Sequence, residues 1–145
     1  MIESIKHVIS VCDSNKVLAL DIIRIYLGLG LFLKGVVFIL NPEQLRVFLD
    51  VFPYPYTIIL ISHYVAIAHL AGGLLLCLGL LTRLSALIQL PVLLGAILLV
   101  HLKEGLFVGG ELEFTMLVFV LLCVFFFFGS GKLSVDDYLE THKDT

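Results

Sequence analysis

TIILISHYVAIAHLAGGLLLCLGLLTRLSALIQLPVLLGAILLVHL, residues 57–102, decides the fold. It holds two apolar runs, and only Leu81-Thr82-Arg83 lies between them. About 20 apolar residues suffice for a helix to cross a bilayer. In lipid such runs have to be helices, because the backbone must satisfy its polar groups within the segment. A turn of so few residues forces the two helices to run antiparallel and to touch. Gly79 suits the end of the first, and Thr82 the cap of the second.

The same pattern recurs on both sides, which gives four spans at about residues 17–40, 57–80, 84–102 and 112–128. The expected fold is an all-α integral membrane protein: a four-transmembrane-helix antiparallel bundle forming one domain, 1–145, with cytoplasmic tails 1–16 and 129–145. Composition agrees. Of 145 residues 60% are hydrophobic and 14% charged, and the mean hydropathy is +1.11. A soluble domain of this size cannot hide so much apolar surface, so the lipid bilayer is the natural partner. The net charge is -3, with no basic block, which argues against nucleic acid. The first apolar run carries Asp21 and Arg24 and lacks the basic start and small-residue cleavage site of a secretory signal.

Between the first two spans, Asn41-Pro42-Glu43-Gln44 reads as a cap, a proline at the first helical position and a capping glutamine. Leu45, Phe48, Leu49 and Phe52 then share a face, with Arg46 and Asp50 off it. This predicts a short interfacial helix between helices 1 and 2, ended by Pro53-Tyr54-Pro55-Tyr56. Lys6, Lys16, Arg83, Lys132 and Lys143 fall on the side of the termini, and Arg46 and Lys103 on the other. The bias places both termini in the cytoplasm. Gly129-Ser130-Gly131-Lys132 lacks the rest of a phosphate loop and reads as a helix stop, followed by a short helix capped by Ser134. Cys12, Cys77 and Cys123 form no C-x-x-C pair, and Cys77 and Cys123 read as small packing residues.

An ionisable group at bilayer depth costs about 2.5–3.5 kcal/mol on insertion scales, so each one needs a reason. Asp21 and Arg24, three apart in the inner half of the first span, are a candidate structural ion pair. Lys34, His63, His101 and Glu113 reach one level in the outer half, with Glu104 and Glu111 beside them. Together with the deeper His69 they are the candidate ligand-binding set: a polar pocket opening outward. Each also has a plain reading, as a snorkelling lysine or an ordinary interfacial side chain. Around His69, Ser62, Ala66 and Gly73 make a small-residue face, so His69 meets protein rather than lipid. Gln89 and Pro91 are its expected neighbours, the proline freeing a carbonyl that can accept a hydrogen bond. His69 then serves either an interhelical hydrogen bond or a small ligand. No catalytic residue is assigned. No metal site is expected, and the histidine spacing gives haem no support.

The chain resembles the DoxX family of small four-span bacterial membrane proteins. The resemblance runs from Arg24 to Leu139 and rests on Arg24-x3-Gly28, Lys34-Gly35, Gly72-Gly73, the segment Gly79-Leu80-Leu81-Thr82-Arg83-Leu84-Ser85-Ala86, and the closing Gly129-Ser130-Gly131-Lys132-Leu133-Ser134-Val135-Asp136. It implies a bacterial plasma membrane protein near quinone-linked redox chemistry, since the family's name derives from a subunit of a thiosulfate:quinone oxidoreductase. In the better-studied branch a glutamate often stands where this chain has His69, and a lysine where it has Phe38. A lysine-histidine set built on Lys34 and His69 is the expectation here.

Two functions follow. One is a membrane subunit that binds quinone, with no covalently bound cofactor, and works with a soluble or membrane redox partner; Lys34, His63 and His69 donate, and His101 and Glu113 pass protons. The alternative is a non-enzymatic membrane protein that binds or moves a small hydrophobic molecule or assembles a partner complex. A plain structural bundle, its polar residues only fixing helix pairing, is the third reading.

Overall fold

Unbroken apolar sequence becomes helix, and the breaks fall at glycine and proline. The computed structural model describes residues 2–50, 52–101 and 111–142, and every regular element among them is a helix. Helix α1 runs Ile2–Leu40, 39 residues, or about 58 Å at 1.5 Å per residue. It begins well before Val17, because no glycine or proline interrupts the chain from Ile2 to Leu27.

Helix α2, Pro42–Leu49, starts on its proline as expected, but the Asn41 side chain makes no capping bond. Leu45 and Leu49 are buried with Phe38 and Val65, whereas Glu43, Arg46 and Asp50 are exposed. Helix α3 comprises Pro55–Ile67, a π-helical turn at Ala68–Gly72, and Gly73–Leu78. At the π turn the Ala68 N–H meets the carbonyls of both Tyr64 and Val65, and the Gly73 N–H those of His69 and Leu70. Such turns widen a helix by one residue and gather at functional positions. Helix α4 comprises Thr82–Ala96, with Pro91 inside it, and a second π-helical turn at Ile97–His101. Helix α5 is Glu111–Phe128 and α6 is Val135–Thr141, capped by the Ser134 hydroxyl accepting from the Asp137 N–H.

Three segments are long and apolar enough to cross a membrane: Leu18–Leu40, Pro55–Leu78 and Thr82–Leu99. A shorter apolar helix, Leu112–Phe128, lies beside them. Side chains such as Ile22, Leu60, Ile67 and Phe127 stand exposed, as a lipid solvent requires and water would penalise. The shared core is Leu27, Leu31, Leu76, Ala86, Leu122 and Phe125, drawn from α1, α3, α4 and α5.

Helix α1 lies directly on α3 because both present glycine at the crossing. A Cβ on Gly28 would lie 2.7 Å from the Cys77 Cα, and one on Gly73 would lie 2.9 Å from the Phe32 Cα. Helix α3 ends at Gly79, whose φ is +67°. Its N–H bonds the Leu76 carbonyl, and the Leu80 N–H bonds that of Leu75, the paired bonds of a Schellman stop.

Candidate functional site

The residues singled out in the sequence fall into two groups at different depths. The first is a clasp at the end of the bundle where α3 turns into α4. Asp21 and Arg24 are both buried, with Arg24 Nη2 donating to Asp21 Oδ1 at 3.4 Å. Arg24 does more than pair. Nη1 donates to the Leu76 carbonyl at 2.8 Å, and Nη2 to the Leu133 carbonyl at 2.7 Å. The other oxygen of Asp21 accepts the Leu133 N–H at 3.0 Å. One ion pair thus fastens α1 to the end of α3 and to the segment leading into α6. The planar fork of an arginine suits this, since it serves several carbonyls at once. Gly79 and Gly131 make room: a Cβ on the first would strike the Arg24 guanidinium, and one on the second the Asp21 carboxylate.

The cap expected from Thr82 comes from elsewhere. The Asp136 carboxylate accepts the N–H groups of Leu81, at 2.7 Å, and Thr82, at 3.0 Å. The Thr82 hydroxyl oxygen is buried without a partner among the described residues. Leu81 adopts φ +50° to bring these donors round, and a carboxylate at a helix start is favoured by both the free N–H groups and the helix dipole. The segments 79–86 and 129–136, far apart in sequence, are therefore two halves of one joint. The Asp136 N–H completes it by bonding the Gly79 carbonyl at 3.0 Å.

The second group lies in the seam between α1 and α3. His69, on the π turn, is 4% exposed. Its ring meets Phe38 of α1 edge to face, with centroids 5.3 Å apart, and Lys34, exposed on α1, holds Nζ 5.3 Å from the centroid of the Phe38 ring. Positions 38 and 69, which the resemblance marks as a lysine and a glutamate elsewhere, are thus ring-to-ring neighbours. Gly35 permits the approach, its missing Cβ lying 3.0 Å from His69 Cβ. His69 Nδ1 donates to the Val65 carbonyl at 2.9 Å. A carbonyl only accepts, so this bond places a proton on Nδ1 and leaves Nε2 as the acceptor in the neutral ring.

The other candidates do not join this seam. His63 is exposed, and its Nδ1 donates to the Ile59 carbonyl of its own helix at 2.8 Å. Glu113 is exposed on α5. Glu104 and the side chains of His101 and Glu111 lie outside the described residues. The carbonyl expected to receive His69 near Pro91 is not used by it. Instead Tyr64 Oη reaches across to the Ile88 carbonyl at 2.9 Å, one residue beyond Leu87, whose partner N–H the proline removes. Among the described residues no group of three or more His, Cys, Asp or Glu side chains is placed to hold a metal ion.

A line of polar residues on α4 carries more than the sequence suggested. Thr82, Ser85 and Gln89 recur at helical spacing on its buried face, and all are 1% exposed or less. The Ser85 hydroxyl donates to the Gly72 carbonyl. Gln89 lies over Gly72, where a Cβ would be 3.0 Å from Nε2, yet neither amide atom has a partner among the described residues. The spacing of the three was visible in the sequence; that Gln89 lies over Gly72 without bonding His69 was not. An unpaired buried polar group costs about 1–3 kcal/mol. Gln89→Met, of similar length, is therefore expected to stabilise the protein by about 1 kcal/mol or more, read as a higher midpoint of thermal unfolding in detergent. A lower midpoint would mean that the amide is satisfied.

Neither the curated proteins nor the solved structures gave a match. The family model named DoxX matches residues 19–102, which contain the Asp21–Arg24 pair, the Phe38–His69 seam and the α3–α4 turn; the chain belongs to the DoxX family.

Proposed function

We propose that this DoxX protein is the membrane subunit of a quinone-linked oxidoreductase system, and that the seam between α1 and α3 holds the quinone head group. The observation that carries this reading is the convergence of Lys34 and His69 on Phe38 within the apolar span. A quinone needs an apolar wall, a donor for one carbonyl oxygen and an acceptor for the hydroxyl of its reduced form. Phe38 supplies the wall, the Lys34 ammonium the donor, and His69 Nε2 the acceptor. Bound there, a quinone would supply two-electron redox chemistry; this chain's own part is to orient the ring and to take or return a proton at Nε2. Electrons come from, or go to, a soluble or membrane partner.

In the same reading Leu112–Phe128 is the fourth span. At 17 residues it sits at the short end of the range of about 17–25 that crosses a bilayer. Helix α2 lies in the headgroup layer, with Leu45 and Leu49 inward and its charges outward. The protein sits in a bacterial inner membrane with both termini in the cytoplasm, following its basic residues.

The test is to purify the chain from bacterial membranes and measure the quinone it retains. Wild-type protein should hold about tenfold more than His69→Leu or Lys34→Met, the effect of one good hydrogen bond. Wild-type protein without quinone, or folded variants that retain it unchanged, would defeat the reading. The exposed position of His63 favours a second one, in which the seam binds or carries a small hydrophobic molecule without electron transfer. A single buried base then needs no relay, and the retained molecule would not be a quinone.

A further inference from the structure

At the end of the bundle, beside the joint of 79–86 and 129–136, an open groove of about 480 Å³ is lined by both charged and apolar side chains. Arg83 and Glu140 line it, with Ser130 and Asp136. Among the described residues the side chains of Arg83 and Glu140 have neither an ion pair nor a hydrogen bond. The Asp136 carboxylate is already committed to the N–H groups of Leu81 and Thr82. Arg83 nonetheless has a defined place. Its guanidinium lies over Gly129, where a Cβ would come within 3.2 Å of Nε. Gly129 has φ +80°, so a glycine serves both the turn and the packing there. The groove thus holds a cation and an anion whose side chains are not paired with each other.

The apolar lining says which ligand reaches this space. Leu84 and Phe128 also line the groove and are 47% and 79% exposed. Leu84 is in the first turn of α4 and Phe128 ends α5, so both stand where a spanning segment gives way to polar chain. This is the level at which acyl chains meet headgroups. The geometry points to a binding site for the headgroup of a phospholipid with a free amine, such as phosphatidylethanolamine. The phosphate faces the Arg83 guanidinium and the Ser130 hydroxyl, the ammonium faces Glu140, and the acyl chains lie along Leu84 and Phe128. Arginine matches phosphate oxygens with its fork. An anionic headgroup without an amine would set its charge against two carboxylates and one guanidinium. A quaternary amine offers Glu140 no N–H to donate. The ligand is therefore zwitterionic and carries a primary amine.

The test uses the full chain, delipidated in detergent and offered phosphatidylethanolamine, phosphatidylglycerol and phosphatidylcholine of matched acyl chains, with retained lipid counted by native mass spectrometry. Wild-type protein should prefer phosphatidylethanolamine over both. Arg83→Gln should lower its retention about fivefold, the effect of one largely exposed charge contact. Glu140→Gln should abolish the preference over the other two lipids. Equal retention of all three by wild-type protein, which needs no variant to fold, would overturn the proposal. So would displacement of the lipid by millimolar inorganic phosphate, which would assign the groove to the free ion.

Discussion

Arg24→Met is expected to cost about 3–5 kcal/mol, the penalty for removing one member of a buried ion pair. The guanidinium is wholly buried and donates to three segments at once: Asp21 on its own helix, Leu76 on α3, and Leu133 before α6. Methionine fills much of the volume and supplies none of the donors. It leaves the Asp21 carboxylate inside the protein with the Leu133 N–H as its remaining partner among the described residues. Against a total stability of about 5–15 kcal/mol, a loss of this size removes much of the folded population. Arg24→Lys should fail almost as badly, since one compact ammonium cannot reach carbonyls on two segments. The double variant Asp21→Asn with Arg24→Met should recover much of the loss, because the uncompensated charge is gone. Thermal unfolding in detergent reads all three. A single variant within about 1 kcal/mol of wild type, the ceiling for an exposed pair, would mean that the pair is solvated in the membrane.

The clasp was half legible in the sequence. Asp21 and Arg24 are three apart in an apolar helix, and a pairing of charges there follows from the cost of leaving either alone. What periodicity cannot give is the third party. Leu133 enters through its backbone, which any residue carries, and Asp136 caps a helix that begins 54 residues earlier in sequence. The local signal, a threonine just before an apolar run, pointed to Thr82 as its own cap and was overruled by a distant carboxylate. The outer polar set shows the complementary failure. His69 was legible because its neighbours at helical spacing are small. His63 was grouped with Lys34 by depth, and depth fixes height along the bundle but not direction around a helix. The π turn at Ala68–Gly72 compounds this, since it changes the angle between residues before and after it in a way that a constant 3.6-residue period does not include. The apolar runs themselves needed no such detail, because length and hydropathy alone force helices in lipid.

Gly73→Ala tests the closeness of α1 and α3 on which the seam depends, and it should cost about 3 kcal/mol, the upper end for inserting a methyl group into a packed interior. The added carbon would collide with the Phe32 backbone nitrogen and lie 2.9 Å from both the Phe32 Cα and the Gly28 carbonyl oxygen. All of these are backbone atoms, which no rotamer change can move aside. The helices must separate instead, and small residues are what let two backbones approach in lipid. Gly30→Ala is the matched control on the same helix pair. A Cβ there meets nothing within 4 Å, so the gain in helix propensity, up to about 1 kcal/mol, should leave the protein unchanged or slightly more stable. The separation has a functional consequence too. Gly35 lies about two turns beyond Gly28 on α1, and its missing Cβ is 2.8 Å from the Leu70 backbone nitrogen and 3.0 Å from His69 Cβ. Forcing α1 away at Gly73 therefore draws Phe38 and Lys34 off His69, and folded Gly73→Ala protein should retain less quinone than Gly30→Ala. Equal stability and equal retention in the two variants would show that the seam tolerates a wider spacing, and that the contact of Phe38 with His69 is not what binds.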